Sequence, residues 1–203
     1  MLESMTRLTG ERLDEASYGQ DFSARFWSVR DSPIWKLERQ QVFHQPESDS
    51  WMAFLQGRRE EALGLLEARR PALREQFDRL AQAGASVRRV RVVEKPFPTY
   101  LLWELHSLRV RAQCGEDIRV ISPDPLSAFE REHPVPEIVV LGDEVAYRIL
   151  YDEEGVIEGA IRFTDPAVID GCRSEIAALH QPAEVLEDYF VREVSDAEAT
   201  RAR

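Results

Sequence analysis

The hydrophobic pattern of the chain changes its period at Gly84, and this change constrains the fold more than any other feature. Across residues 59–83, large apolar side chains recur at helical spacing. Pro71 interrupts that segment, so we expect either a kinked helix or two helices. After Gly84 the apolar residues fall into short β-branched runs that indicate strands. We therefore expect a helical region at 26–84, followed by a mixed sheet with helices at 85–193.

The first elements after this change predict a βαβ unit. A strand is expected at 87–93, a helix from Thr99 to about residue 113, and a second strand at 117–122. Crossovers of this kind are nearly always right-handed and join two parallel strands. The two strands are therefore expected to lie side by side in one parallel pair.

Three further apolar runs predict an antiparallel meander. They cover residues 137–141, 145–151 and 156–163, and Gly142 supplies the positive φ that a two-residue hairpin turn needs. A helix should begin at Asp165 and another at Pro182. The predicted fold class is α+β: a βαβ unit followed by a three-stranded antiparallel meander and C-terminal helices, with an N-terminal helical region.

The two ends of the chain lack a clear pattern. We expect a flexible segment at 1–25, a single domain at 26–193 and a disordered tail at 194–203. Residues 1–17 lack the apolar stretch of a secretory signal, and no apolar run approaches the length of a membrane span. These observations favour a cytoplasmic protein without membrane contacts.

The charge of the chain is uneven. Its formal net charge is -11, and residues 137–203 hold 6 basic and 16 acidic residues. Such a balance argues against a protein that coats nucleic acid nonspecifically, although it leaves room for a local cationic site. Only Lys36 and Lys95 are lysines, against 24 arginines. We interpret that bias as a feature of a GC-rich genome rather than of function.

Arginines on the predicted strands form the strongest candidate binding site. They are Arg89, Arg91, Arg119, Arg148 and Arg162. If their guanidinium groups share one sheet face, they can hold a phosphate or carboxylate through paired hydrogen bonds. The more common arrangement is internal ion pairing, because glutamates lie close to them in the sequence. Those glutamates are Glu94, Glu104 and Glu116.

The start of the predicted crossover helix offers a second candidate. Tyr100, Trp103 and Glu104 follow the carboxyl end of the first strand, where βαβ units commonly bind ligands. Aromatic walls and a carboxylate can form a pocket there. Alternatively, both aromatic rings pack on the sheet as core residues.

No pattern in the sequence indicates a metal, a cofactor or a catalytic nucleophile. The four histidines are not spaced as zinc ligands, and neither a dinucleotide-binding nor a P-loop glycine motif is present. Cys172 falls on an apolar helical stripe, while Cys114 lies at a helix end that disfavours a thiolate. We therefore predict no cofactor, no metal site and no catalytic residue.

Five motifs together resemble an actinobacterial family of uncharacterised intracellular proteins that are often encoded near Xre-type helix-turn-helix regulators. The motifs are WKLER at 35–39, RVRVV at 89–93, YLLWEL at 100–105, GEDIRV at 115–120 and FTDP at 163–166. The resemblance spans residues 26–189. It implies a regulatory context, with a helix-turn-helix protein as partner.

The order of the predicted elements is also similar to one half of a phospholipase D-like domain. Enzymes of that superfamily use a His-x-Lys motif, which this sequence lacks. The resemblance therefore implies a related fold without phosphodiesterase chemistry.

These observations lead to one principal hypothesis and two alternatives. The principal hypothesis is a noncatalytic binding or regulatory module that acts with a protein partner in a bacterial cytoplasm. The first alternative is an enzyme acting on a small anionic metabolite, in which Arg89, Arg91 and Arg119 hold the substrate and Glu94 or Glu104 transfers a proton. The second is a homodimer formed through the tryptophan-rich N-terminal region.

Overall fold

The computed structural model describes residues 1–195 and contains an eight-stranded mixed sheet with helices on both faces. The order of the strands across the sheet is β1-β7-β6-β5-β2-β3-β4-β8. In chain order they are β1 (Glu11–Asp14), β2 (Pro33–Glu38), β3 (Ser86–Val92), β4 (Asp117–Ile121), β5 (Ile138–Leu141), β6 (Val145–Tyr151), β7 (Ile157–Phe163) and β8 (Glu184–Val185).

Seven α-helices are present among these residues, and side-chain caps start several of them. The helices are α1 (Glu15–Phe26), α2 (Asp49–Leu55), α3 (Arg59–Glu67), α4 (Arg70–Gln82), α5 (Thr99–Ala112), α6 (Pro166–His180) and α7 (Leu186–Tyr189). Asp14 and Ser48 cap α1 and α2 by accepting a hydrogen bond from a backbone N–H. Pro71 lies in the first turn of α4, so the proline separates two helices instead of kinking one.

The α+β class is confirmed, as are its two main parts. Strands β3 and β4 are parallel and α5 connects them, which is the predicted βαβ unit. Strands β5, β6 and β7 form the predicted antiparallel meander. The loop between β5 and β6 has three residues, 142–144, instead of two.

Strand β2 corrects the prediction of a purely helical region at 26–84. It pairs in parallel with β3 and antiparallel with β5, and thus joins the βαβ unit to the meander. The sequence obscured this central strand because Lys36 and Glu38 occupy two of its positions. Charged residues inside a strand suggest an exposed or irregular segment, although here they lie beneath helices.

The amino-terminal segment is also structured, in contrast to the flexible segment expected at 1–25. Strand β1 pairs with β7, and α1 follows it directly. Leu2 and Met5 are fully buried against the core. Of the tail predicted at 194–203, residues 196–203 lie outside the described residues, while Val194 is buried.

The two faces of the sheet differ in composition. We call one the cavity face: it carries Ile34, Lys36, Glu38, Arg89 and Arg91, and helices α1 to α5 cover it. We call the other the α6 face, after the helix that covers it. Its side chains include Trp35, Leu37, Val90 and Val92. Within residues 1–195, no helix combines the length and apolarity that crossing a membrane requires.

Candidate functional site

The strand arginines do not converge on one face, which corrects the arrangement considered from the sequence. Arg119 lies directly opposite Val90 in the pairing of β3 with β4, so its side chain belongs to the α6 face. There its Nε donates to Asp117 Oδ1 at 3.1 Å. Arg148 lies on the same face and donates to the carbonyl oxygen of Met5. Arg119 is therefore separated from Arg89 and Arg91 by the sheet itself.

Arg89 is held in a buried ion-pair network. Its Nε donates to Glu116 Oε1 at 2.7 Å, and its Nη1 donates to Glu38. Glu116 also accepts from Arg111 Nε at 2.6 Å. Burial opposes the ionisation of Glu116, but Arg89 and Arg111 outweigh it and hold its pKa at about 2. This is the internal pairing that the sequence offered as an alternative.

Arg91 forms a second buried pair, with Glu104. Arg91 is fully buried, and its Nη2 and Nε donate to Glu104 Oε2 at 2.7 and 2.9 Å. Burial raises the pKa of Glu104 in spite of this partner, and the neighbouring charge of Glu38 acts in the same direction. The guanidinium of Arg91 is thus engaged inside the protein.

Glu94 lies apart from the strand arginines. It pairs with Arg39, whose Nε also donates to Glu130 Oε1 at 2.8 Å. Glu94 therefore neutralises Arg39 at the ends of β2 and β3. It cannot share a proton-transfer site with Glu104 in this arrangement.

Tyr100 and Trp103 are core residues whose surfaces also line a cavity. Their rings lie 5.4 Å apart, and Trp51 contacts both. The Tyr100 hydroxyl accepts a hydrogen bond from Gln45, and Trp103 Nε1 donates to Ser50 Oγ. These bonds satisfy the polar atoms of both rings and fix their orientation.

The cavity lies between the cavity face and α5 and has a volume of about 880 Å³. Segment 43–48 and the turn joining β6 to β7 complete its walls. Four of the residues singled out from the sequence line it: Arg89, Tyr100, Trp103 and Glu104. Three do not, namely Arg91, Glu94 and Arg119. The cavity thus combines an aromatic wall with a charged floor.

Lys36 lines the same cavity and was not recognised from the sequence. It is half-buried on β2, directly beside Arg89 in the neighbouring strand. Its side chain makes no ion pair or hydrogen bond with any other residue in the described part of the chain, 1–195. Burial lowers the pKa of Lys36 to about 8, and repulsion from Arg89 adds to the effect, while attraction to the carboxylates of Glu38 and Glu116 opposes it.

The small number of lysines is one feature of the sequence that could have drawn attention to Lys36, but we interpreted it only as genome bias. A chain with 24 arginines has two lysines, and one of them lies in the wall of its cavity. Lysine differs from arginine in that burial readily shifts its pKa and leaves a reactive amine. The rarity of lysine narrowed attention to Lys36 and Lys95 but did not distinguish them, because the strand that holds Lys36 was not predicted.

A second cation without an ion-pair partner and two exposed carboxylates also line the cavity, in addition to the paired charges of Glu38, Arg89, Glu104 and Arg111. Arg69, at the junction of α3 and α4, also forms no ion pair or side-chain hydrogen bond within residues 1–195. Glu15 and Glu47 line the cavity too, and both are exposed to solvent. The unpaired cation that is shielded from water is therefore Lys36, which favours an anion beside it.

A further carboxyl group, that of Glu137, is buried outside the lining of this cavity. Glu137 Oε1 accepts from the backbone N–H groups of Arg39 and Gln40, whereas its Oε2 has no hydrogen-bond partner among the described residues. Burial raises the pKa of Glu137 to about 8, and repulsion from Glu38 contributes. Near neutral pH this carboxyl group is largely protonated.

Comparison with curated proteins found no match to this chain. A match to a family was found over residues 20–191, a range that includes β2, β3 and α5 and hence the floor and aromatic wall of the cavity. The expectation of an uncharacterised family is thereby confirmed. The chain belongs to the family described as Domain of unknown function (DUF6879).

Proposed function

We propose that this protein is a binding module that takes a small anionic molecule into the cavity beside Lys36. The observation that carries the proposal is the absence of any ion-pair partner for Lys36 among residues 1–195. Removing a cation from water is costly unless an anion compensates for the lost hydration. A bound carboxylate or phosphate supplies that compensation.

The surroundings of Lys36 support a ligand that is anionic at one end and apolar at the other. Arg69 provides a second cation without a protein partner, and its guanidinium can bind a carboxylate or phosphate in a bidentate manner. On the opposite side, Phe43, Tyr100 and Trp103 offer aromatic surface.

The enzymatic alternative is favoured by one observation, the raised pKa of Glu104 at the cavity wall. A carboxyl group near a bound ligand can exchange a proton with it. Against it, Glu104 is held by two hydrogen bonds from Arg91, which restrict its movement. If Glu104→Gln abolishes turnover of a defined substrate while ligand binding persists, the enzyme is the better description.

A regulatory role with a helix-turn-helix partner in a bacterial cytoplasm is the broader part of the proposal, and it rests on the sequence resemblance. Co-purification with a helix-turn-helix protein encoded beside this gene tests it directly.

A homodimer also stays a prediction, but fewer tryptophans are exposed than the prediction assumed. Trp35 and Trp51 are buried within the chain, so they are not available to a second copy. Sedimentation velocity at high protein concentration tests the dimer.

A thermal-shift titration with anions tests the binding proposal. We expect acetate, glyoxylate or phosphate at low ionic strength to raise the melting temperature of the wild type, because a ligand that binds only the folded state stabilises it. Lys36→Gln and Arg69→Gln should each reduce the shift. Arg119→Gln is the matched control, since Arg119 lies on the α6 face. Equal shifts in all four proteins would contradict the proposal.

A further inference from the structure

The cavity holds an amine whose chemistry goes beyond electrostatic binding. We infer that Lys36 forms a covalent imine with the carbonyl group of an anionic aldehyde or 2-oxo acid bound beside it. This inference rests on the proposed function, since the anionic group of the same ligand must first occupy the cavity. Three features of the site support it: the fixed position of Lys36, its freedom from a protein partner, and the adjacent cations.

The position of Lys36 is fixed by the sheet. Strand β2 is hydrogen-bonded on both sides, to β3 and to β5, with Lys36 opposite Arg89 on one side and Val139 on the other. The backbone of the lysine therefore has little freedom, and its side chain extends from a rigid floor into the cavity. Only the side chain of Lys36 therefore has to be ordered when the amine reacts.

The amine of Lys36 is available to react. Ion-paired lysines stay protonated and nonnucleophilic, but Lys36 has no such pair within residues 1–195. Burial and the charge of Arg89 bring its pKa to about 8, so roughly one amine in ten is unprotonated at pH 7. A lysine of ordinary pKa reaches well under one in a thousand.

The charged groups that face Lys36 suit an anionic carbonyl compound. Arg89 and Arg111 are paired with Glu116, and Arg89 also with Glu38, so these four side chains largely neutralise one another. Arg69 adds a cation without a partner. A ligand whose carboxylate or phosphate pairs with a cation of this cavity can present its carbonyl carbon to the amine.

The reaction balances without an oxidant or a reductant. The Lys36 nitrogen forms a bond to the carbonyl carbon, and the bond between that carbon and its oxygen breaks. Two protons pass from nitrogen to the departing oxygen, which leaves as water. An ammonium group and a carbonyl compound thus become a protonated imine and water, with no change in net charge.

Reductive trapping on the full chain provides the test. The protein is incubated at pH 7.5 with glyoxylate and sodium cyanoborohydride, which reduces an imine to a stable secondary amine, and the labelled site is found by peptide mass mapping. The chain offers only three amines: Lys36, Lys95 and the amino terminus. Lys95, which is ion-paired with Glu193, and the amino terminus, ion-paired with Glu175, serve as internal references.

We expect labelling at Lys36 to exceed that at Lys95 by roughly tenfold or more. Propanal, an uncharged aldehyde, should show a smaller preference for Lys36, because only the lower pKa of that amine then favours it. Lys36→Arg should retain the thermal shift with acetate but show no label in the cavity, and Lys95→Gln should be labelled at Lys36 like the wild type. Circular dichroism of both variants verifies that they are folded.

Labelling at Lys95 equal to or above that at Lys36 would overturn the inference. If glyoxylate raises the melting temperature but Lys36 is not trapped, the covalent step is wrong and noncovalent anion binding stands. If neither effect occurs, both the inference and the proposed function fail.

Discussion

The two faces of the central sheet bury different kinds of side chain at equivalent positions. On the α6 face, Leu37 and Val90 pack against α6 without exposed surface. On the cavity face, the corresponding positions of the same two strands hold Lys36, Glu38, Arg89 and Arg91. From Trp35 and Arg89 onward, the two strands thus alternate between apolar residues toward α6 and charged residues toward the helices of the cavity face.

This difference indicates that stability and function are divided between the faces. Burying apolar surface stabilises the fold at roughly 25 cal/mol per Å². Buried ion pairs such as Arg91 with Glu104 contribute little net stability, because each charge is removed from water. We therefore infer that the charges of Lys36, Glu38 and Arg89 are present for the cavity that they line, whereas the corresponding positions of the α6 face contribute to stability.

Breaking one ion pair on the cavity face should have the largest effect on stability. Arg91→Met leaves Glu104 buried without its partner, and we expect the free energy of unfolding in urea to fall by about 3–5 kcal/mol at pH 8. The double variant Arg91→Met/Glu104→Leu should recover most of this loss, because it removes both charges. A double variant no more stable than the single one would contradict the description of the pair.

The pH dependence of the same variant sharpens this prediction. Without Arg91, the pKa of Glu104 in the folded state rises further above its unfolded value. Folding then favours the protonated carboxyl group, so stability is retained at low pH and is lost as the pH rises through the folded pKa. The loss caused by Arg91→Met should consequently be smaller at pH 5 than at pH 8.

A substitution on the α6 face should destabilise the protein without affecting the ligand. Leu37 is fully buried, so Leu37→Ala removes packed atoms and leaves a cavity that costs about 2–5 kcal/mol. Urea denaturation measures the loss, and the thermal shift induced by acetate should equal that of the wild type. A weaker shift in this variant would show that the two faces are not independent.

A smaller effect is expected at Glu137, where a single atom changes. The folded pKa of about 8 lies above the unfolded value, so the ionised form opposes folding as the pH rises from about 4.5 through 8. Glu137→Gln keeps the acceptor for the backbone N–H groups of Arg39 and Gln40 and abolishes the titration. We expect the variant to be more stable than the wild type at pH 9, by about 1–3 kcal/mol, and similar to it at pH 5. Wild-type stability that is constant between pH 5 and 9 would argue against a raised pKa.

Much of the fold could be predicted because its elements have conventional patterns. The βαβ unit and the meander have β-branched strands, and glycines and prolines mark several of their ends. Strand β2 could not be recognised, since Lys36 and Glu38 interrupt its apolar alternation and their burial depends on helices distant in the sequence. Strand β1 was missed because it is short and gains its pairing from β7, far along the chain.

The candidate site was predicted only in part, for a related reason. Tyr100, Trp103 and Glu104 line a cavity, and they were singled out because the start of a crossover helix is a common ligand position; that they bind a ligand stays a prediction. The grouping of Arg119 with Arg89 failed because the register of β3 and β4 decides which residues share a face. Lys36 could not be recognised as a cavity residue because β2, the strand that holds it, was not predicted.

The central claim is that Lys36 is a desolvated cation that binds an anionic ligand. Nuclear magnetic resonance of the lysine side chains tests this claim most directly. Labelling with ¹³C at the ε carbon gives two lysine resonances, Lys36 and Lys95, which Lys95→Gln assigns. We predict that the Lys36 resonance titrates with a midpoint near pH 8. Acetate should move that midpoint upward, because a bound anion favours the protonated amine. Absence of any titration near pH 8, or equal responses of both lysines to acetate, would contradict the claim.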